Sequence, residues 1–226
     1  MASKNRKEQF IQIPIGSVSL SGDLTVVEGS PGIVLFAHGS GSGRHSRRNR
    51  YVAKVLQDSG LGTLLFDLLT EEEEVIDERT RHLRFDIGLL TNRLVAVTDW
   101  LVQNRPASNN LNIAYFGAST GAAAALSAAA KRAHIIKAVV SRGGRPDLAD
   151  VNLNQVKAPT LLIVGGYDTP VIQMNQEALD RLQQLSAQKG EKELVIIPEA
   201  THLFEEPGKL ELVAELASKW FAHFIS

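Results

Sequence analysis

The stretch Asn112-Ile113-Ala114-Tyr115-Phe116-Gly117-Ala118-Ser119-Thr120-Gly121, followed by the alanine-rich segment Ala122 to Arg132, decides the fold. Asn112 to Phe116 is an apolar run of strand length, and the alanine-rich segment after it has a helical composition. Between them, Gly117 to Gly121 forms the pattern G-x-S-x-G at a strand–turn–helix junction, which is the nucleophile-elbow arrangement. A serine at such a junction takes a strained backbone, and the flanking glycines let strand and helix approach without clashing. The bare pattern is weak evidence, because a chain with 18 glycines in 226 residues would show one by chance about one time in ten. The plain alternative is a glycine-softened turn.

Outward from the elbow, short β-rich runs alternate with longer helical patterns. Phe10 to Ile15 and Val18 to Val27 predict a leading antiparallel pair that turns at Gly16-Ser17. Ile33 to Ala37 is continuously apolar and bounded by glycines, as a strand covered on both faces should be. Similar runs recur at Thr63 to Phe66, Ala138 to Ser141, Thr160 to Val164 and Leu194 to Ile197. Leu83, Ile87, Leu90, Leu94, Val97 and Leu101 form one apolar stripe and predict a single long helix. Leu179, Leu182 and Leu185 mark another helix, and Leu210, Val213, Leu216 and Phe221 a further one. The expected fold is an α/β protein with about eight strands in a mostly parallel, doubly wound sheet, helices on both faces. No Pro/Gly/Ser-rich linker divides the chain, so residues 1–226 are expected to form one domain.

Two further segments give the elbow its meaning. Leu161 to Asp168 places a carboxylate just past a buried strand, and Ile196 to His202 places a histidine in the loop after the next one. Taken alone, a loop aspartate is usually a turn or cap residue and a lone histidine is usually structural. Ser119, Asp168 and His202 occur in this order, each at the carboxyl end of a strand, where such sheets put their sites.

On these residues the chain resembles the α/β-hydrolase superfamily, and within it the small members of the dienelactone hydrolase-like group. The resemblance extends from His38-Gly39 to His202 and implies a hydrolase with no metal or organic cofactor. It departs at one point: dienelactone hydrolases proper carry a cysteine nucleophile, whereas this chain has Ser119 and no cysteine. It implies that His202 takes the Ser119 proton, that Asp168 orients the imidazole, and that an acyl-enzyme forms. The oxyanion would meet the backbone N–H of Thr120 and that of Ser40, with Gly41 as second choice, in the loop His38 to Gly43. His38 is expected to anchor that loop. The expected activity is hydrolysis of a small or medium carboxylic ester or lactone. Thioester or amide hydrolysis, or a non-catalytic scaffold that binds a small ligand or partner, are the alternatives. The loops Leu68 to Arg84 and Gly143 to Lys157 are expected to set the substrate.

Basic residues crowd the same sheet edge. Arg44 to Arg50 contains four arginines, with Ser46 as the expected cap of the helix that follows, and Arg142 and Arg145 flank a glycine pair. Arg44, Arg142 and Arg145 are candidates to read a carboxylate or phosphate on an anionic ester. Their alternative is pairing with acids, for which Glu71 to Glu74, Asp77 and Glu78 are at hand.

Composition narrows the rest. Twenty-four basic and twenty-five acidic residues give a net charge of −1, and aromatic residues are 6%, so neither nucleic acid nor a membrane surface is an expected partner. The histidines at 38, 45, 82, 134, 202 and 223 lack metal-site spacing, and the absence of cysteine excludes thiolate ligands and disulfides. The first residues lack the apolar core of a signal peptide, so the expected location is the cytoplasm.

Overall fold

The computed structural model describes residues 5–104, 112–184 and 191–225. Eight strands form one sheet in the order β1-β2-β4-β3-β5-β6-β7-β8. The strands are β1 (Arg6–Ile15), β2 (Val18–Val27), β3 (Gly32–Ala37), β4 (Gly62–Phe66), β5 (Asn112–Ala118), β6 (Ile136–Arg142), β7 (Thr160–Gly165) and β8 (Lys192–Ile197). β1 and β2 pair antiparallel and β2 joins β4 antiparallel, while every pairing from β4 through β8 is parallel. All eight predicted strands are present, and the sheet is the expected α/β-hydrolase arrangement.

Alternation along the central strands divides the core into two layers. Leu35, Leu64, Tyr115, Val139 and Leu162 face one side, against α3 (Ile87–Asn104), α4 (Thr120–Lys131) and α5 (Thr169–Gln183). Val34, Phe36, Phe116, Val140 and Ile163 face the other, against α1 (Arg47–Asp58) and α6 (Lys209–Phe224). Ser46 caps α1 as expected, its hydroxyl accepting from Asn49 N at 3.4 Å.

Two helical expectations need correction. The stripe from Leu83 to Leu101 is not one helix: Leu83–Phe85 is a separate 3-10 turn, and α3 begins only at Ile87. Asp86 makes the break, accepting from Leu89 N at 2.9 Å through its side chain and from Leu90 N at 3.0 Å through its carbonyl. In addition, α2 (Glu71–Thr80) occupies the glutamate run, which has no apolar periodicity. It is held by a capping box, Thr70 Oγ1 accepting from Glu73 N at 3.2 Å and Glu73 Oε2 from Thr70 N at 2.8 Å. Leu185, predicted on α5, lies outside the described residues.

The two ends of the described chain lie at the amino ends of the parallel strands. Asn5 O accepts from Glu28 N at 3.0 Å, and the Ile225 side chain packs on Gly32 at the start of β3. The site residues occupy the opposite edge.

Under α3, a buried relay joins helix and sheet. Tyr115 OH and Thr98 Oγ1 are 2.6 Å apart, and Thr98 Oγ1 donates to Leu94 O at 2.8 Å. Thr98→Val would strand the tyrosine hydroxyl in the core, at a cost of about 1–3 kcal/mol. A urea titration that gave wild-type stability for Thr98→Val would contradict this account of the relay.

Candidate active site

β5 ends at Ala118, and Ser119 turns the chain directly into α4 with φ 51° and ψ −121°. This is the left-handed backbone that the elbow motif requires of a residue with a side chain. Neighbouring backbone holds it there. Ser119 N donates to Arg142 O at 3.2 Å, and Ser119 O accepts from Ala122 N at 3.1 Å and Arg145 N at 3.2 Å. The flanking glycines act as expected, since a Cβ at Gly121 would collide with the carbonyls of Ala37 and His38, and one at Gly117 would lie 2.5 Å from Ala122 Cα.

Asp168 ends the β7 loop as the residue before α5, and His202 follows β8. Their side chains meet, His202 Nδ1 donating to Asp168 Oδ2 at 2.6 Å. That bond leaves Nε2 as the ring's available base. The two loops are laced by Gly166 N to Ile197 O at 2.8 Å and Tyr167 N to Ala200 O at 2.9 Å. Past the histidine, buried Phe204 turns back at φ 57°, its N–H donating to Thr201 O at 3.2 Å. The Arg142–Gly143 segment stands between the histidine and the serine. Gly143 packs on the His202 ring, where an added Cβ would lie 3.5 Å from Nδ1, while the preceding carbonyl accepts from Ser119. Among the described residues, Ser119 and His202 share no direct hydrogen bond.

Ser40, Gly41 and Thr120 line one small cleft together with Leu68, Glu74 and Arg84. Gly39 abuts Ser119, since a Cβ there would lie 3.1 Å from Ser119 Cβ. His38 fixes the loop, its Nδ1 donating to Gly39 O at 3.0 Å and its Nε2 accepting from Leu68 N at 2.9 Å. Next to the loop opens a cleft of about 900 Å³, lined by Arg47 and Arg48 of α1 and by Glu71, Glu74 and Glu78 of α2. Sequence reasoning missed the acidic wall. The T-x-x-E spacing of Thr70 and Glu73 was the signal that would have revealed its helix. Burial, more than the nearby acids, pushes the Glu74 carboxyl up from its ordinary value.

The arginine candidates separate by partner. Arg44 forms an ion pair with Asp67, lies 3.8 Å from Asp23 and stacks over the Phe10 ring. Arg145 pairs with Asp147 at 2.8 Å. The α2 acids bind other cations instead, Glu73 with Arg93 at 2.6 Å and Asp77 with Arg84. Arg142 has no carboxylate partner among the described residues. It is only 7% exposed, its Nε and Nη1 lack partners among the described residues, and burial plus the charge of Arg48 pull its pKa down to about 10. Among the described residues, no group of three or more His, Cys, Asp or Glu side chains is placed to hold a metal ion, and no helix is long and apolar enough to cross a membrane.

A mostly parallel eight-stranded sheet, a serine elbow after its central strand, and a carboxylate–histidine pair after the last two strands define an α/β-hydrolase fold. The chain belongs to the dienelactone hydrolase family, whose pattern matches residues 25–225. It is similar to the crystal structure of a dienelactone hydrolase from Anabaena variabilis, with 62% identity, a TM-score of 0.92, and coverage of 98% of this chain and 99% of that one. Est1E from Butyrivibrio proteoclasticus shares the fold at 17% identity, with a TM-score of 0.76 and coverage of 95% and 98%. A Mycobacterium tuberculosis protein provisionally named a phosphoribosyl transferase is 55% identical over 215 residues, which are 95% of this chain. The chain spans 46% of that relative's length.

The His38 bonds carry a pH signature. Burial holds the imidazole pKa below its ordinary 6.5, so the unfolded chain takes up the proton first as pH falls. Stability from this group is complete above 6.5 and declines as pH is lowered through it. Urea midpoints measured from pH 8 to pH 5 should therefore fall more steeply for wild type than for His38→Gln. Equal slopes would remove the assignment.

Proposed function

We propose that this protein hydrolyses small or medium carboxylic esters or lactones through an acyl-enzyme on Ser119. The observation that carries the reading is the 2.6 Å bond from His202 Nδ1 to Asp168, with His202 against Gly143 of the segment whose backbone also hydrogen-bonds Ser119. In the reaction, His202 Nε2 takes the Ser119 hydroxyl proton as the oxygen attacks the acyl carbon. Asp168 fixes the imidazole tautomer and stabilises the imidazolium. The N–H groups of Thr120 and Ser40 receive the developing oxyanion. His202 then protonates the leaving alkoxide, and a water activated by the same nitrogen releases the acid. The Ser119–His202 bond closes on substrate binding, as catalytic hydrogen bonds that are long in free enzymes do. The mycobacterial relative's name belongs to a chain about twice as long, and a serine elbow with a histidine base suits acyl transfer. The lack of cysteine fits a reducing, cytoplasmic setting.

A fluorophosphonate probe should label wild type at Ser119, and Ser119→Ala should lose ester turnover by roughly a thousandfold or more with its fold intact. Failure of the folded wild type to label would favour a binding scaffold. Faster turnover of thioesters or amides than of esters would reassign the substrate class.

Among the three arginines, Arg142 is our candidate to read an anionic group on the ester, since Arg44 and Arg145 already hold carboxylates. Arg142→Ala should then lose about tenfold or more on an anionic ester relative to its neutral analogue, with Arg145→Ala close to wild type on both. Equal losses on the two esters would end this assignment.

A further inference from the structure

Asn175 lies on α5, two turns beyond Asp168, and is fully buried. Its side-chain amide donates one hydrogen to Val171 O at 2.8 Å, within its own helix, and the other to Gly144 O at 3.0 Å. Its Oδ1 has no partner among the described residues, so the two donors alone decide its orientation. The reversed amide would set oxygen against two carbonyl oxygens.

Gly144 belongs to the segment Arg142 to Arg145, which touches two members of the proposed triad, Ser119 and His202. Arg142 O accepts from Ser119 N, and Arg145 N donates to Ser119 O. Gly143, at φ 51°, packs on the His202 ring and donates to Ile163 O at 2.7 Å. The third member, Asp168, precedes α5, and Asn175 provides the side-chain link from α5 to this segment. Leaving a buried carbonyl without its donor costs a full desolvation penalty, so loss of the amide would free the segment to move. A shift there would displace nucleophile and base relative to the acid.

We infer that Asn175 is a positioning residue: by holding Gly144 O it sets the distance between the Asp168 helix and the strap on which Ser119 and His202 rest. The inference depends on the hydrolytic triad proposed above. Its function is geometric, and displacement of about 1 Å in a catalytic constellation is enough to cost up to about a hundredfold in rate.

The test compares wild type, Asn175→Leu and Thr98→Val, the last being a buried hydrogen-bond loss beneath α3 and away from the site. Rates are normalised to fluorophosphonate-titrated sites. Asn175→Leu should lower kcat by about tenfold or more with KM within about twofold of wild type. Thr98→Val, though destabilised, should keep wild-type kcat. In proton NMR, the low-field His202 Nδ1–H resonance should broaden or vanish in Asn175→Leu and persist in Thr98→Val. Should Asn175→Leu not fold, Asn175→Ala replaces it, because it removes the donor to the same carbonyl without added bulk. Wild-type kcat together with an unchanged His202 resonance would overturn the inference, as would equal kcat losses in Asn175→Leu and Thr98→Val. If wild type neither labels nor turns over an ester, the hydrolase reading fails. The resonance then decides the positioning role alone, an unchanged line rejecting it.

Discussion

Ser119 must hold a left-handed backbone at the junction of a strand and a helix, and the centre of the molecule is arranged around that requirement. Such a conformation costs about 1–3 kcal/mol and persists only where the surroundings over-determine it. Here β5 is fixed between β3 and β6, both in parallel register with it. The chain leaves the elbow into a helix whose first ten residues are all buried. Alanines at most of those positions let α4 lie close enough to the sheet for the bend to close. Backbone bonds from Arg142 and Arg145 then fix the serine from the neighbouring strand's end. The strain is thus distributed over three adjacent strands and one helix.

The parts of this architecture that were legible in sequence are those whose stability comes from burial. Each central strand is sealed on both faces, so runs such as Ile33 to Ala37 and Thr160 to Val164 carried their own signature. Ser119, Asp168 and His202 could be singled out as candidates because a parallel sheet puts its strand-end loops on one edge, and the structure has all three at strand ends. α2 was not, because its hold comes from a capping box and from the Glu73–Arg93 and Asp77–Arg84 pairs. A run of four glutamates shows no stripe for periodicity to detect. The first turn of α3 was misjudged because Leu83 is in phase with the stripe, while Asp86 offers the cap that interrupts it. Asn175 was invisible for another reason. Nothing in its neighbourhood along the chain differs from an ordinary helix, and its meaning arises from a carbonyl 31 residues away.

A net charge near zero conceals a divided surface. Arginines of α1 and glutamates of α2 line one cleft beside the loop His38 to Gly43. Most of the basic residues there are engaged, Arg48 with Glu205 at 2.6 Å and Arg50 with Asp23 at 2.8 Å. Against that background Arg142, buried and without a carboxylate partner among the described residues, is the exception. Uncompensated buried charge is expensive, which is why Arg142 stands apart from its neighbours.

The placement of Asn5 and Ile225 at the amino ends of the strands has an architectural consequence. Both residues lie at the opposite edge of the sheet from Ser119, Asp168 and His202. That geometry suits a surface tether at Asn5 or Ile225, which would hold the protein by the edge of the sheet opposite Ser119, Asp168 and His202.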